Sequence, residues 1–495
     1  MQTELSMNNL KIKPEQIKSL IDNDYNSKQK RLARQSQKYY EGIHDIKGYR
    51  LFYYNADGEL VEDTTRSNIK ISHPFYTELV DQCVQYMLSG NQRIITSDDT
   101  VLDNELDRYF SDDFKSELQK TLEDTCNGFG YMYGYMDNDD LGAITKFVNA
   151  EAEGVVEVRK QETDGQTEYV IYWYVERIGK DRKKIKRIQV WDSEATYYFM
   201  QIDDGKIVPD TTVQLNPRPH ILYTKDGDDG IYYDGYGFIP FFRLDANRKQ
   251  ISHLAPVKDL IDDYDLMSCG LSNNLVDFDT PIYAVKGFEG SDLSELQQNL
   301  KTKKVIGVGE NGDVEVRTVD IPVQARQAKL ELDEKNIYRY GMGFNSSQVG
   351  DGNITNIVIK SRYILLDLKC NKLETNLRAF LKKLIKVALK EINERNKTAY
   401  KYKDCKINLE REVMTNALDN AQIELTKAQA QQTKITTILN VASQIDSDTI
   451  LKLLCDLLDV DYEEVKDKLP DETIDINKAS EMLANQPIEG EEENE

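Results

Sequence analysis

From about Asn356 to Asn396 the chain keeps apolar residues on one helical face: Tyr363, Leu366, Leu373, Leu377, Phe380, Leu381, Leu384, Ile385, Ala388, Leu389 and Ile392 recur at spacings of three and four. At 1.5 Å per residue such a helix runs about 60 Å if straight, roughly twice the width of a small domain, so it has to bridge subdomains. Its first turns, Ile354 to Ile359, are β-branched and weak helix formers, which predicts a late start or a frayed end. Residues 356–397 carry 11 basic and 4 acidic side chains.

That basic rod sits in an acidic chain. The 495 residues hold 63 basic and 86 acidic side chains, a formal charge of −23, which excludes a protein that coats nucleic acid by neutralising phosphates. The imbalance is local: residues 446–495 hold 17 acidic and 4 basic side chains, a net of −13 against −10 for the rest. The final stretch, Glu489-Gly490-Glu491-Glu492-Glu493-Asn494-Glu495, has the composition of a disordered tail. With 40% apolar residues the chain can build real cores, and its length allows roughly two to four domains. Cys83, Cys126, Cys269, Cys370, Cys405 and Cys455 form no C-x-x-C pair and lie far in sequence from any histidine. They read as reduced, buried thiols of a cytoplasmic protein, not as a metal site or disulfide framework. The polar segment Met1 to Lys13 lacks the apolar stretch of a secretory signal, and no uncharged apolar run reaches about 18 residues, so no membrane span is expected.

Helical patterns are predicted over residues 14–46 behind Pro14, from Pro74 to Ser89 and from Ser111 to Asn127. Between Gly128 and about Phe242 short runs rich in tyrosine and β-branched residues, separated by Asp164-Gly165, Asp204-Gly205 and Asp226-Gly227, predict an antiparallel sheet region. Helix returns at Pro256 with a stripe of Val257, Leu260, Ile261, Tyr264, Met267, Leu271, Leu275 and Phe278; Asp259, Asp262, Asp263, Asp265 and Asp277 make its other face acidic. Residues 281–322 read as a small α/β insertion: a strand Ile282 to Val285, a short helix Asp292 to Leu300, and a hairpin of Lys303 to Val308 with Val314 to Val319 closed by Asn311-Gly312. A helix from Val323 to Tyr340 leads into the glycine-rich, polar stretch from Gly341 to Asn353, and the chain after about Glu410 is helical and rich in Ala and Gln.

No motif for nucleotide, metal or nucleophile is present. Gly307-Val308-Gly309-Glu310-Asn311-Gly312 fits G-x-G-x-x-G, but the alternating Asp313 to Thr318 that follows is a strand, where a dinucleotide site needs a helix amino terminus. Asp226 to Gly230 and Asp137 to Asp140 lack the downstream bidentate acid of a calcium loop. This absence favours a structural or binding role over catalysis, with no cofactor.

The order of parts resembles the portal proteins of tailed bacteriophages, in the family found in siphophages of Gram-positive hosts. The strings that carry the resemblance are Tyr39-Tyr40-Glu41-Gly42-Ile43-His44-Asp45-Ile46, Asn68-Ile69-Lys70-Ile71-Ser72-His73-Pro74-Phe75 running on to Tyr86-Met87-Leu88-Ser89-Gly90, Gly237-Phe238-Ile239-Pro240-Phe241, Val257 to Asp265, Lys303-Lys304-Val305-Ile306, and Lys360 to Glu374. The resemblance covers roughly residues 35 to 395. It implies an α+β portal-type subunit in a ring of about twelve copies at one capsid vertex, a virion component assembled in the host cytoplasm. Double-stranded DNA would pass through non-specifically, and terminase, a head-completion adaptor, and major capsid and scaffolding proteins would be partners.

Carried onto this chain, residues 1–255 look like the wing, 256–280 and 323–344 like two stem helices, 281–322 like the clip, 345–355 like the tunnel loop, 356–405 like a long wing helix and 406–495 like a helical crown with an acidic tail. The resemblance puts Asn345, Ser346, Ser347, Gln348, Val349, Gly350, Asp351, Gly352 and Asn353 on the DNA-facing loop. It puts Lys258, Asp262, Asp265 and Lys335 on the stem wall, and Glu289, Asp292, Glu295, Lys301 and Lys303 on the docking surface of the clip. An acidic stem and a loop without lysine or arginine suit a conduit that must not hold DNA, since each neutralised phosphate adds affinity. Two other readings remain open on the residues alone: an enzyme of nucleic-acid metabolism with an acidic metal site assembled from distant carboxylates, and a virion scaffold or adaptor without a tunnel.

Overall fold

The computed structural model describes residues 12–139, 142–160, 165–178, 183–225, 228–278, 282–288, 308–317, 321–345, 356–411, 417–441 and 445–458, with Met7, Leu10 and Tyr462. Helices α1 (Pro14–Tyr25), α2 (Lys28–Tyr40), α3 (Phe75–Met87), α4 (Thr100–Tyr109) and α5 (Asp112–Cys126) precede the main strands. After the strands come α6 (Lys258–Phe278), α7 (Val323–Gly341), α8 (Asn356–Asn396), α9 (Ala417–Asn440) and α10 (Ser447–Leu458). The fold is α+β.

The helical stretch expected to open at Pro14 and stop at Tyr39-Tyr40-Glu41-Gly42 ends there, at Tyr40, but is two helices. Asn26 and Ser27 break it, and the Ser27 hydroxyl accepts the Lys30 amide to cap α2. Helix α4 is absent from the sequence expectation although its signal is there: the Asp99 carboxylate accepts the amides of Val101 and Leu102, and Leu102 and Leu106 are buried four residues apart. Helix α8 has the bounds that its apolar period predicts, 41 residues from Asn356 to Asn396, despite its β-branched start.

Strand Phe129–Asp139 lies between Phe241–Asp245 and Gly142–Ala150, all antiparallel. A second antiparallel sheet runs Ile207–Pro209, Ala195–Ile202, Lys183–Trp191, Thr167–Ile178, Val155–Arg159, with Arg218–Pro219 also paired to Ala195–Ile202. The turn after Ile202 uses Asp203 and Asp204 at φ 44° and 59°, the left-handed conformation that aspartate tolerates better than most side chains. In the 281–322 region the expected turn at Asn311-Gly312 is corrected, while Lys303 to Gly307, the rest of the expected hairpin's first strand, lie outside the described residues. Val308–Arg317 pairs with Ile282–Phe288, and Asn311-Gly312 falls among residues 309–312, which bulge between the pairs Lys286↔Asp313 and Phe288↔Val308. Strand Val308–Arg317 thus pairs with the insertion's first strand, a choice that local turn chemistry cannot reveal. The short helix proposed for Asp292 to Leu300 lies outside the described residues.

The chain forms two compact units, Met1–Val349 with Arg362–Val413, and Gly350–Ser361 with Met414–Glu495. In the first, one large core gathers Leu79, Val80 and Cys83 of α3, Leu102 and Leu106 of α4, Leu118 and Leu122 of α5, and Leu377, Phe380, Leu381, Leu384 and Ile385 of α8. Each such side chain contributes on the order of 1.5–3 kcal/mol on full burial. A second core sets Ile17 and Ile21 of α1 against Ile171, Ile188, Val190, Tyr197 and Phe199 of the larger sheet. In the second unit α9 and α10 pack together, with Ile450 and Cys455 buried. Among the described residues no helix is long and apolar enough to cross a membrane.

Candidate functional site

Helices α6 and α7 lie against each other in the first unit, and the residues that fix them are charged. On α6 the buried positions Val257, Ile261, Asp265 and Cys269 run at four-residue intervals from just before the helix, which places a carboxylate in the middle of a buried stripe. The expectation that Asp265 lines a wall is therefore corrected: its exposure is 0%. Its Oδ2 accepts from His44 Nδ1 at 2.6 Å, and its Oδ1 accepts from His73 Nδ1 at 2.7 Å and from the His73 amide at 2.9 Å. Burial pushes this carboxyl's pKa up, but the hydrogen bonds from His44 and His73 outweigh burial and the net shift is downward. His44 stacks on Tyr39 with ring centres 4.5 Å apart, and His73 meets the edge of Tyr264 at 4.8 Å.

The remaining acids of α6 are also mostly satisfied within the subunit. Lys258 Nζ donates to Asp45 Oδ2 at 2.7 Å and to Asp262 Oδ2 at 2.5 Å, and the Tyr39 hydroxyl donates to Asp262 Oδ1. Burial lowers the lysine's pKa, but the bonds to Asp262 and Asp45 reverse this and raise it overall. Lys329 of α7 crosses to Asp263 at 2.6 Å and also bonds Asp333, which is buried. Asp277 accepts the Ser67 amide at 3.1 Å. The strongly acidic solvent face expected for this helix is thus largely consumed by partners from residues 39–73 and from α7. Of the four proposed wall residues, Lys335 is exposed, Lys258 and Asp262 are half-buried and paired, and Asp265 is internal. Beside exposed polar residues such as Asp259, Lys335 and Arg339, the pair also exposes large apolar side chains: Leu266, Leu275 and Val276 on α6, Leu332 and Tyr340 on α7.

Helix α7 ends where backbone has to pass close to α3. A Cβ at Gly341 would lie 2.6 Å from Leu79 Cδ1, and one at Gly343 2.2 Å from Leu79 Cδ2; between them Met342 takes the left-handed cap at φ 55°. The Gly341 carbonyl accepts from Lys369 Nζ of α8 at 3.1 Å. Gln82 grips the Phe344 backbone from both sides, its Nε2 donating to the carbonyl at 2.7 Å and its Oε1 accepting the amide at 2.8 Å. Phe344 stacks on Tyr363 at 4.8 Å, and Asn345 Nδ2 donates to Glu334 Oε1 at 3.0 Å. Asn345 therefore anchors the start of the proposed loop. Ser346, Ser347, Gln348, Val349, Gly350, Asp351, Gly352 and Asn353 lie outside the described residues, as do Glu289, Asp292, Glu295, Lys301 and Lys303.

Residue-by-residue reading missed His44, His73, Gln82 and Lys369 as organisers of this site. The signal was available for the two histidines, since both fall inside the strings that resemble portal proteins. Gln82 and Lys369 also fall inside those strings, but each sits in an ordinary helical pattern that says nothing of its particular role.

The site is thus two helices joined by buried polar contacts, with a glycine-flanked segment leading off the end of α7. The profile of the family described as "Phage portal protein, SPP1 Gp6-like" matches residues 19–477, and the chain belongs to that family. It is 29% identical over 347 residues to the portal protein of Bacillus phage SPP1, covering 70% of this chain and 67% of that one. To the portal protein of Clostridium phage phiCD119 it is 25% identical over 439 residues, 85% of this chain and 91% of the other. Portal proteins are oligomeric, capsid-associated virion components, structural rather than enzymatic.

Proposed function

We propose that this chain assembles into a closed ring of about twelve copies at one capsid vertex, through which double-stranded DNA is packaged and ejected. In this reading α6 and α7 form the stem, residues 281–322 the clip that docks terminase and later the head-completion adaptor, residues 345–355 the tunnel loop, and residues 406–495 the crown, with major capsid and scaffolding proteins around the ring. The observation that carries it beyond family membership is the set of exposed apolar side chains on the stem pair, Leu266, Leu275, Val276, Leu332 and Tyr340. Such residues on a helix pair where Lys258, Asp262, Asp263, Lys329 and Asp333 are paired within the subunit suit a surface covered by neighbouring copies. The exposed Lys382 and Lys386 of α8 would face acidic groups of a neighbour.

Electron micrographs of the purified protein test the ring directly. Annular particles with a central hole are expected; a compact monomer that cleaves DNA when given a divalent metal would overturn the proposal in favour of an enzyme.

A further inference from the structure

Elements far apart in sequence bring two thiols and an imidazole together in the first unit, with a third thiol beside one of them. Cys83 lies on α3, Cys126 ends α5, His253 lies in the turn before α6 and Cys370 is on α8. One ligand atom from each of Cys83, Cys126 and His253 lies within 4.8 Å of the other two, and Cys370 Sγ is 3.7 Å from Cys83 Sγ. A tetrahedral site with metal–sulfur bonds near 2.3 Å holds its ligand atoms about 3.5–3.8 Å apart. Cys83 and Cys370 already have that spacing and the trio needs to close by no more than about 1 Å, while Cys370, outside the trio's 4.8 Å circle, has to turn further toward Cys126 and His253.

The imidazole separates a metal site from a simple pocket of thiols. His253 Nδ1 is buried and has no hydrogen-bond partner, thiols included, and a buried polar atom left in this way calls for a specific explanation. The ring is not loosely placed, because the His253 amide donates to the Cys126 carbonyl at 2.8 Å. The Tyr76 hydroxyl donates to the same carbonyl at 3.1 Å, so the backbone beside two ligands is held from both sides. Lys369, next in sequence to Cys370 and only 8% exposed, places a positive charge near both Cys83 and His253. The residue His253 is half-buried as a whole, while its Nδ1 is enclosed.

We propose that Cys83, Cys126, Cys370 and His253 bind one thiophilic divalent cation, of the zinc type, that ties α3, α5 and α8 to the start of α6. On binding, the three thiols would release their protons to solvent and give sulfur-to-metal bonds, while neutral His253 donates through a ring nitrogen. Three thiolates and a divalent ion leave a net charge of −1, which Lys369 offsets. Sequence reading gives no hint of this, because none of the four is near another in the chain.

The test uses the full-length protein, purified in reductant without chelator. About one zinc per chain is expected by elemental analysis. After zinc removal, cobalt(II) should restore a thiolate-to-cobalt charge-transfer band with visible bands of tetrahedral type. Cys83→Ser, Cys370→Ser and His253→Ala should each lower metal occupancy at least tenfold, and Cys455→Ser should leave it unchanged. Folded wild-type protein that, after incubation with excess zinc and desalting, holds less than about a tenth of an ion per chain and gives no cobalt charge-transfer band would overturn the proposal. So would a wild-type thiol count two short without reductant and no metal, since that would mean a disulfide. The wild-type readouts decide even if a variant fails to fold.

Discussion

At the residue scale, Asp265 is the side chain on which α6 depends. It accepts hydrogen bonds at both oxygens in a site with no exposure, so Asp265→Asn leaves at least one histidine without its acceptor. A loss on the order of 3 kcal/mol is expected, read as a lower midpoint of urea unfolding. The carboxyl's folded pKa is depressed, so its contribution is complete above the unfolded value near 3.8 and is lost as pH falls through the folded one. His220 gives the other pH signature. Its ring is buried against Trp191 and Tyr236, neither nitrogen has a partner of good geometry, and burial lowers its pKa to about 4. The unfolded histidine takes up a proton first, so stability should fall between about pH 6.5 and 4, by an amount on the order of 2–3 kcal/mol. His220→Phe should flatten that slope and raise stability at pH 7 by about 1 kcal/mol; an unchanged pH profile would count against the neutral, buried ring. Asp265 also shows what the sequence hid. Its charge assigns it to the polar face, yet the buried face of α6 runs through positions 257, 261, 265 and 269, and part of the apolar stripe, notably Leu275, faces solvent in the isolated subunit. An apolar period sums the faces buried within a chain and those kept for other surfaces, and cannot separate them.

At the scale of elements, α8 was legible almost to the residue because its period persists for so many turns that chance cannot imitate it. The break between α1 and α2, one serine cap, was not, and neither was the pairing inside residues 281–322, where strand partners are chosen by the tertiary fold. The end of α7 is where sequence and structure complement each other: glycines mark it, and only the structure identifies Leu79 as the reason. Gly343→Ala would drive a methyl into Leu79 and should cost about 1–3 kcal/mol, and Leu79→Ala in the same chain should recover part of the loss. Gln82→Ala removes both grips on Phe344. Greater protease sensitivity around residue 344 is expected with little change in global stability, whereas deleting Gln348 to Asn353 should leave assembly intact while impairing DNA packaging.

At the scale of the molecule, the basic face of α8 gives a ring prediction. Reversing Lys382 and Lys386 to Glu, or raising salt, should weaken the ring if neighbouring copies supply the acids, because exposed ion pairs are screened; rings equally stable in both conditions would show that the lysines serve something else. The large core has a different consequence, in time. Cys83 and Cys370 touch although 287 residues separate them, and α3, α4 and α5 bury their apolar faces against α8. At synthesis rates of about 5–20 residues per second, the early helices wait roughly 15–60 s for the helix that covers them. The larger sheet and α1 close their own core well before then. A newborn subunit thus passes through an interval in which one region is complete and another, still unpartnered, is open to aggregation or to chaperones, and the arrival of a single late helix ends that exposure.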